Sequence, residues 1–216
     1  MIRTLLTLLF ALAANTMAAQ SHESFHFENG DLLFQDLDCG PLCDAIEAVT
    51  EGVDGREFSH VGLVYLREDS VFVIEASGAD VHLTPMGQFL ARSRDSMGRP
   101  KVVVGRVKKK YQRLREAAVA FAVSQAGTPY DAAFLYDNGK YYCSELVYDA
   151  FKQANGGSPF FRLSPMTFRD PSTGRTFTAW EQYYVALQMP VPEGQPGCNP
   201  GGLSRSPRIR IVHRFY

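Results

Sequence analysis

The sequence has little net charge, few cysteines and few long apolar runs. Its 22 Lys and Arg residues are balanced by 23 Asp and Glu residues, which gives a formal net charge of −1 over 216 residues. Because binding to duplex nucleic acid depends on neutralising many phosphates, this balance argues against a nucleic-acid partner. Beyond the N-terminal segment, no apolar run reaches the roughly 18 residues of a membrane-spanning helix. The composition, 45% hydrophobic and 12% aromatic, is that of a globular chain of about one domain.

Residues 1–19 have the three parts of a secretory signal peptide. Arg3 gives the segment a positive start, an apolar stretch follows, and small residues end it at Ala18 and Ala19. These features predict cleavage after one of those two alanines. The interruption at Asn15 argues against the alternative, an uncleaved anchor helix. We therefore expect a periplasmic or extracellular protein with no stable membrane insertion after the signal peptide is removed.

The four cysteines are Cys39, Cys43, Cys143 and Cys198. An exported protein can hold disulfides, but this spacing is not that of a disulfide-dense miniprotein. The Cys39–Cys43 spacing lacks the second ligand pair of a zinc site, so we expect no metal and no cofactor. If Cys143 is a reactive thiol, at most one disulfide can form among the other three. Two pairings are favoured, Cys39 with Cys43 and Cys39 with Cys198.

The hydrophobic pattern predicts one domain over residues 20–216, with a Gly- and Pro-rich C-terminal extension from about residue 156. Runs of β-branched and aromatic residues predict strands near residues 31–35, 60–66, 71–76, 81–83, 101–107 and 208–213. Apolar spacing and Pro positions predict helices near residues 41–52, 85–90, 108–125, 141–155 and 179–186. The second and third strands form a hairpin that turns at Glu68 and Asp69.

Cys143 stands at the predicted start of a helix. A thiol there lies at the positive end of the helix dipole, beside free backbone N–H groups. Both favour the thiolate, which is the nucleophilic form, and the same N–H groups can hold an oxyanion. Taken alone, a cysteine at a helix start is more commonly a small buried residue.

His60 opens the strongest predicted strand, and Glu75 lies on the strand that returns from the hairpin. The predicted turn brings these two positions roughly opposite one another. A carboxylate beside an imidazole fixes its tautomer and stabilises the imidazolium. With Cys143, the pair predicts a nucleophile, a base and an orienting acid. Taken singly, the alternatives are a structural histidine and a surface glutamate, and His82 is an alternative third residue.

Four segments, in this order, resemble the YiiX/YaeF-like permuted papain-fold amidases, which are relatives of NlpC-type cell-wall peptidases and of lecithin:retinol acyltransferase. The segments are Gly30–Gln35, Phe58–Val64, Val73–Ala76 and Tyr142–Val147, within a resemblance that runs from about residue 30 to 155. In this group the histidine strand precedes the cysteine helix. The resemblance implies an α+β fold in which an antiparallel sheet packs against helices, with the nucleophile at a helix N-terminus.

The resemblance also implies site residues and a chemistry. Carried over by position, Cys143 is the nucleophile, His60 the base and Glu75 the third residue. Three further residues are candidates for contacts to the substrate or the oxyanion: Gln35, Tyr130 and Tyr142. The implied reaction passes through a thioester, and the expected substrate is a small peptide, a cell-wall fragment or an acyl compound. A peptide or isopeptide amide is favoured over a lipid acyl ester, and an exported binding module with Cys143 in a disulfide is the alternative of another class.

Overall fold

A six-stranded antiparallel sheet forms the centre of the fold. The structure is a computed structural model that describes residues 25–216, so the predicted signal peptide lies outside the described residues. The strands are β1 (Leu32–Gln35), β2 (His60–Arg67), β3 (Ser70–Ser77), β4 (Asp80–Pro85), β5 (Val102–Val107), β6 (Ser164–Pro165), β7 (Pro196–Gly197) and β8 (Ile209–Arg214). The sheet order is β4-β3-β2-β1-β5-β8, and the short strands β6 and β7 pair separately.

Six α-helices surround this sheet. They are α1 (Pro41–Ala48), α2 (Met86–Ala91), α3 (Arg115–Ser124), α4 (Cys143–Ala154), α5 (Thr178–Ala186) and α6 (Pro200–Ser204). Two 3₁₀ segments, Val53–Gly55 and Lys109–Leu114, connect them. Within residues 25–216, no helix is long and apolar enough to cross a bilayer.

The predicted α+β class and the six predicted strands of the main sheet are confirmed. The predicted helix over residues 108–125 is shorter, because its basic start forms the 3₁₀ segment and the α-helix begins at Arg115. The regular apolar spacing starts only at Leu114, so packing does not hold the residues before it in an α-helix. The predicted helix at residues 179–186 is confirmed as α5, whereas β6, β7 and α6 were not predicted.

Alternation along the strands divides the sheet residues between two cores. One face packs against α3 and α4 through residues such as Leu32, Leu63 and Ile74. The other face carries Leu33, Val64, Val73, Val102 and Val104, and packs against Met86 and Phe89 of α2. Because side chains alternate with a period of two, His60 and Glu75 belong to the α2 face of β2 and β3.

The hairpin register fixes the relation between His60 and Glu75. Arg67 pairs with Ser70 and Leu63 with Ile74, so the same register places Gly62 across from Glu75. His60 is therefore two residues further along the same face, in a diagonal position rather than directly opposite. A Cβ at residue 62 would clash with the Val73 side chain and lie 3.2 Å from Cβ of Glu75. Glycine at this position leaves the space that the diagonal contact needs.

We predict that Gly62→Ala destabilises the protein by about 1–3 kcal/mol, the usual cost of overpacking a core. The added methyl group has to displace Val73 or Glu75, both of which are buried. Thermal or urea unfolding measures this change. The matched control is Gly87→Ala in α2, where an added Cβ has no neighbour within 4 Å. Equal stability of the two variants would contradict the prediction.

Candidate active site

Cys143 is the first residue of α4, and its side chain is a buried free thiol. The preceding residue, Tyr142, has extended backbone angles and ends the loop that leads into the helix. No side chain caps this helix, so the first backbone N–H groups beside the thiol keep no intrahelical or side-chain partner. The helix start can therefore offer donors to an anion that forms at the sulfur.

His60 lies beside this thiol and links it to Glu75. The imidazole is only 5% exposed and is within hydrogen-bond reach of the Cys143 side chain. Its Nε2 lies 2.5 Å from Oε2 of Glu75, a residue with no exposed surface. Because Nε2 is engaged with the carboxylate, Nδ1 is the nitrogen left for the sulfur. The structure thus brings the three residues of the predicted triad into one buried chain of contacts.

The electrostatics of these three residues favour the imidazolium form of His60. Burial alone would lower the pKa of His60, but the hydrogen bonds to Cys143 and Glu75 raise it to about 9. Burial would raise the pKa of Glu75, yet hydrogen bonds from His60 and Arg92 lower it to about 2. At neutral pH the histidine is therefore protonated and the glutamate is ionised.

Two buried acids hold the loop that precedes Cys143. Asp131 accepts hydrogen bonds from the backbone N–H groups of Ala133, at 3.0 Å, and Leu135, at 2.6 Å. Glu145, in the first turn of α4, accepts one from the N–H of Asp137 at 2.9 Å. Burial raises the pKa of Glu145 to about 8. These contacts fix the loop, and with it the position at which α4 begins.

Cys143 and His60 lie in the wall of a cavity of about 760 Å³. The rest of the wall is mainly apolar and aromatic. Its side chains come from α1, the loop before α4 and the C-terminal segment after residue 156, which includes α5, and among them are Leu42, Ile46, Phe134, Phe161, Phe168, Trp180, Tyr183 and Leu203. Ligand sites have this size and lining, with a few polar groups that orient the ligand. The thiol is therefore positioned to meet a ligand held in an apolar cavity.

Of the three residues predicted to contact the substrate or the oxyanion, two line the cavity and one does not. Tyr130 and Tyr142 both line the cavity. The Tyr142 hydroxyl accepts a hydrogen bond from the backbone N–H of Cys198 at 3.2 Å, which ties it to the C-terminal segment. Gln35 is not part of the cavity wall, and its Nε2 donates to the Phe89 carbonyl at 2.8 Å. This placement does not support the oxyanion contact predicted for Gln35.

The cysteines form one disulfide. Cys39 and Cys43 are joined across the start of α1, so the first of the two favoured pairings is confirmed and the pairing of Cys39 with Cys198 is wrong. Cys143 and Cys198 are both free and buried. The structure therefore does not support the alternative in which Cys143 is held in a disulfide.

Sequence reasoning missed two partners of Glu75. Thr84 on β4 donates a hydrogen bond to Oε1, and Arg92, which follows α2, contacts both carboxylate oxygens. Alternation along β4 places Thr84 on the same face as His82, so the strand pattern contained a signal for it. Nothing in the local pattern around Arg92 indicates its partner. His82 lies directly across from Glu75, with 4.0 Å between Nε2 and Oε1, but its Nδ1 is engaged by Asp80.

Comparison with known proteins identifies relatives of this arrangement. Residues 26–213 match the family model described as permuted papain-like amidase enzyme, YaeF/YiiX, C92 family. The match extends to the C-terminal segment, beyond the end of the resemblance found in the sequence. The uncharacterized protein YiiX of Escherichia coli K12 is 30% identical over 134 residues, which are 60% of this chain and 59% of that relative.

A solved structure shares the fold. The crystal structure of yiiX from Escherichia coli O157:H7 has a TM-score of 0.71 and 23% sequence identity, covering 88% of this chain and 98% of that one. That protein is described as a metalloprotein. Among residues 25–216, no group of three or more His, Cys, Asp or Glu side chains is placed to hold a metal ion.

We predict that His60 titrates near pH 9, because both partners stabilise its charged form. The imidazolium should be fully present below about pH 6.5, the ordinary value, and be lost as the pH rises through 9. NMR of labelled histidines, with the His60 signal assigned by His60→Gln, measures the midpoint. Cys143→Ala removes one partner and should lower that midpoint. A wild-type midpoint below pH 7 would show that the contacts do not offset burial.

Proposed function

The chain belongs to the YaeF/YiiX family of permuted papain-like amidases, and from that premise we propose that it hydrolyses an amide with Cys143 as nucleophile. The observation that carries this proposal is the buried chain of contacts from Cys143 through His60 to Glu75, which opens onto a cavity at the thiol. The elements of nucleophilic catalysis are a nucleophile, a base within reach and a group that orients the base. The three residues fit these roles in that order.

The proposed reaction has two covalent steps. The Cys143 sulfur attacks the carbonyl carbon, and the N–H groups at the start of α4 stabilise the oxyanion that forms. The C–N bond then breaks as the His60 imidazolium gives its proton to the leaving nitrogen, which leaves a thioester on Cys143. Neutral His60 next takes a proton from water, and the resulting hydroxide attacks the thioester. The acid product leaves, and the thiolate and imidazolium are restored.

Glu75 has an orienting role in this scheme. Its carboxylate holds Nε2 of His60, which directs Nδ1 to the thiol and the leaving group. With four donors around it and a low pKa, Glu75 stays ionised while the imidazole gains and loses its proton. An acid in this role stabilises the imidazolium without accepting its proton.

We propose that the protein acts outside the cytoplasm, on a peptide or isopeptide amide such as a cell-wall fragment. The predicted signal peptide supports export to the periplasm or the extracellular space. The Cys39–Cys43 disulfide also supports it, because disulfides persist mainly in oxidising compartments. Because a thiol can attack amides and esters alike, the panel of test substrates includes other acyl compounds as well as cell-wall peptides.

A second candidate substrate is a lipid acyl compound, which the character of the cavity favours. The wall around Cys143 is formed mainly by aliphatic and aromatic side chains from α1, α5 and the C-terminal segment. An apolar chain gains free energy when it leaves water for such a cavity, at about 0.8 kcal/mol for each buried CH₂ group. The carbonyl of a long-chain amide or ester could then lie at the thiol with its chain in the cavity.

Substitutions of Cys143, His60 and Glu75 should reduce turnover to different extents that reflect their proposed roles. Cys143→Ala should abolish turnover, because every covalent step passes through the sulfur, and His60→Ala should be nearly as damaging. Glu75→Gln should cost about two orders of magnitude less than loss of the nucleophile, by analogy with a serine triad. Steady-state assays on a panel of cell-wall peptides, acyl amides and acyl esters measure these effects.

The matched control is Cys198→Ala, which removes the other free buried thiol. This variant should retain turnover, and all variants should remain folded by circular dichroism. Full activity of Cys143→Ala on a substrate that the wild type turns over would refute the mechanism. If the wild type turned over no member of the panel, a binding module would be the better explanation.

The acyl candidate makes a separate prediction about chain length. If the cavity holds the acyl chain, kcat/KM should rise about fourfold for each added CH₂ group until the cavity is filled. Leu42→Trp narrows the wall at α1 and should lower kcat/KM for long chains while it spares short ones. Val185→Trp, at an exposed position of α5, is the control. A kcat/KM that does not depend on chain length would favour the peptide substrate instead.

A further inference from the structure

The carboxylate of Glu75 has a complete set of donors. Oε2 contacts Nε2 of His60 and accepts a hydrogen bond from Nη1 of Arg92 at 2.8 Å. Oε1 accepts hydrogen bonds from Oγ1 of Thr84 and from Nη2 of Arg92. An ionised carboxylate has about four acceptor positions, so these four contacts fill them. His60 is only one of three residues that hold Glu75, and Arg92 supplies two of the four contacts.

Three strands and one helix end build this arrangement. His60 and Thr84 lie diagonally on either side of Glu75, on the neighbouring strands β2 and β4. Arg92 approaches from the end of α2, where its guanidinium lies 5.2 Å from the ring centre of Phe89. Nη2 of Arg92 also lies 3.2 Å from Oγ1 of Thr84. The Thr84 hydroxyl therefore accepts a hydrogen bond from Arg92 while it donates one to Glu75.

Helix α2 also packs near His60, through Phe89. The Phe89 ring lies 6.0 Å from the His60 ring, centre to centre, and the Phe89 carbonyl accepts the hydrogen bond from Gln35. Gln35 itself pairs with His60 across β1 and β2. The end of α2, which Arg92 follows, is thus linked through Phe89 and Gln35 to the strand that carries His60. A shift of α2 should therefore also move His60.

We propose that Arg92 is a positioning residue of the proposed amidase, which holds Glu75 ionised and in one orientation so that His60 keeps Nδ1 on Cys143. This inference rests on the proposed function and extends it to a residue that does not touch the substrate. A bidentate arginine suits the task because its planar fork fixes both carboxylate oxygens. Lysine offers a point charge and cannot reproduce that geometry.

The charge of Arg92 matters as much as its geometry. The titratable or charged groups that face Glu75 are His60 from β2, His82 from β4 and Arg92 after α2. His82 is half-exposed and engaged with Asp80, which leaves Arg92 as the permanent cation. Without it, the burial of Glu75 would favour the neutral carboxylic acid, and a neutral acid stabilises an imidazolium less well.

The test measures how fast iodoacetamide alkylates Cys143, with the Cys143 and Cys198 peptides quantified separately by mass spectrometry. This readout reports the thiolate and needs no known substrate. At pH 6, Arg92→Gln should react about tenfold more slowly than wild type, the effect of one lost charged contact. Arg92→Lys should be intermediate, and Arg67→Gln, an exposed arginine at the far end of β2, should match wild type.

The pH profile separates positioning from a merely structural role. Loss of Arg92 should raise the pKa of Glu75, so the acidic limb of the alkylation profile should move to higher pH in Arg92→Gln. A variant that only loosens the fold would instead expose buried Cys198 and increase its alkylation. An unmoved acidic limb together with faster Cys198 labelling would overturn the proposal. If Arg92→Gln does not fold, Arg92→Lys carries the same comparison.

A double-mutant cycle tests whether Arg92 acts through Glu75. In a Glu75→Gln background, Arg92→Gln should change the Cys143 rate by less than about twofold, because the target of the arginine is already gone. Full multiplication of the two effects would overturn the proposal. His60→Ala distinguishes this from a failure of the proposed function. If that variant reacts as fast as wild type, the triad itself is wrong, whereas wild-type rates in the Arg92 variants alone refute only the positioning role.

Discussion

The buried carboxylate of Glu75 is the constraint on which the rest of the site depends. An ionised group without exposed surface is tolerated in a protein only where charges and donors surround it. The register of β2, β3 and β4 meets that requirement, because it places His60 and Thr84 diagonally beside Glu75. The arrangement requires glycine at residue 62, and it requires α2 to end where Arg92 reaches both oxygens. Residues from three strands and one helix end thus form the surroundings of this one carboxylate.

Cys143, the proposed nucleophile, belongs to a helix on the opposite side of the sheet. Helix α4 packs on the face away from α2, and its first residue lies beside His60 at the start of β2. The loop before it is held by the buried acids Asp131 and Glu145 rather than by a side-chain cap. His60 and Glu75 are both buried, and electrostatic contacts are stronger away from water.

The sequence predicts the elements better than the contacts between them. Strand alternation and the predicted turn at Glu68 and Asp69 were sufficient for the hairpin. The roles of His60, Glu75 and Cys143 were inferred from their positions on that hairpin and at a helix start, together with the family resemblance, and they stay predictions. The oxyanion contact predicted for Gln35 stays a prediction, since its Nε2 donates to the Phe89 carbonyl and the residue is not part of the cavity wall. The contact from Arg92 could not be predicted, since it depends on how α2 packs across β3, and packing of this kind leaves no periodic signal in the chain.

The proposed catalytic residues and the cavity wall come from different parts of the chain. His60, Glu75 and Cys143 lie on strands and at the start of α4, whereas much of the cavity wall comes from residues after 156 and from α1. Helix α1 begins without a side-chain cap, and the Cys39–Cys43 disulfide fixes its first turn. That turn carries Leu42 into the wall, where α1 faces α5 and the aromatic cluster around Trp180. Changes in these packed aromatic and aliphatic side chains would alter which ligand fits the cavity, while the contacts of Glu75 on the far side of the sheet remain in place.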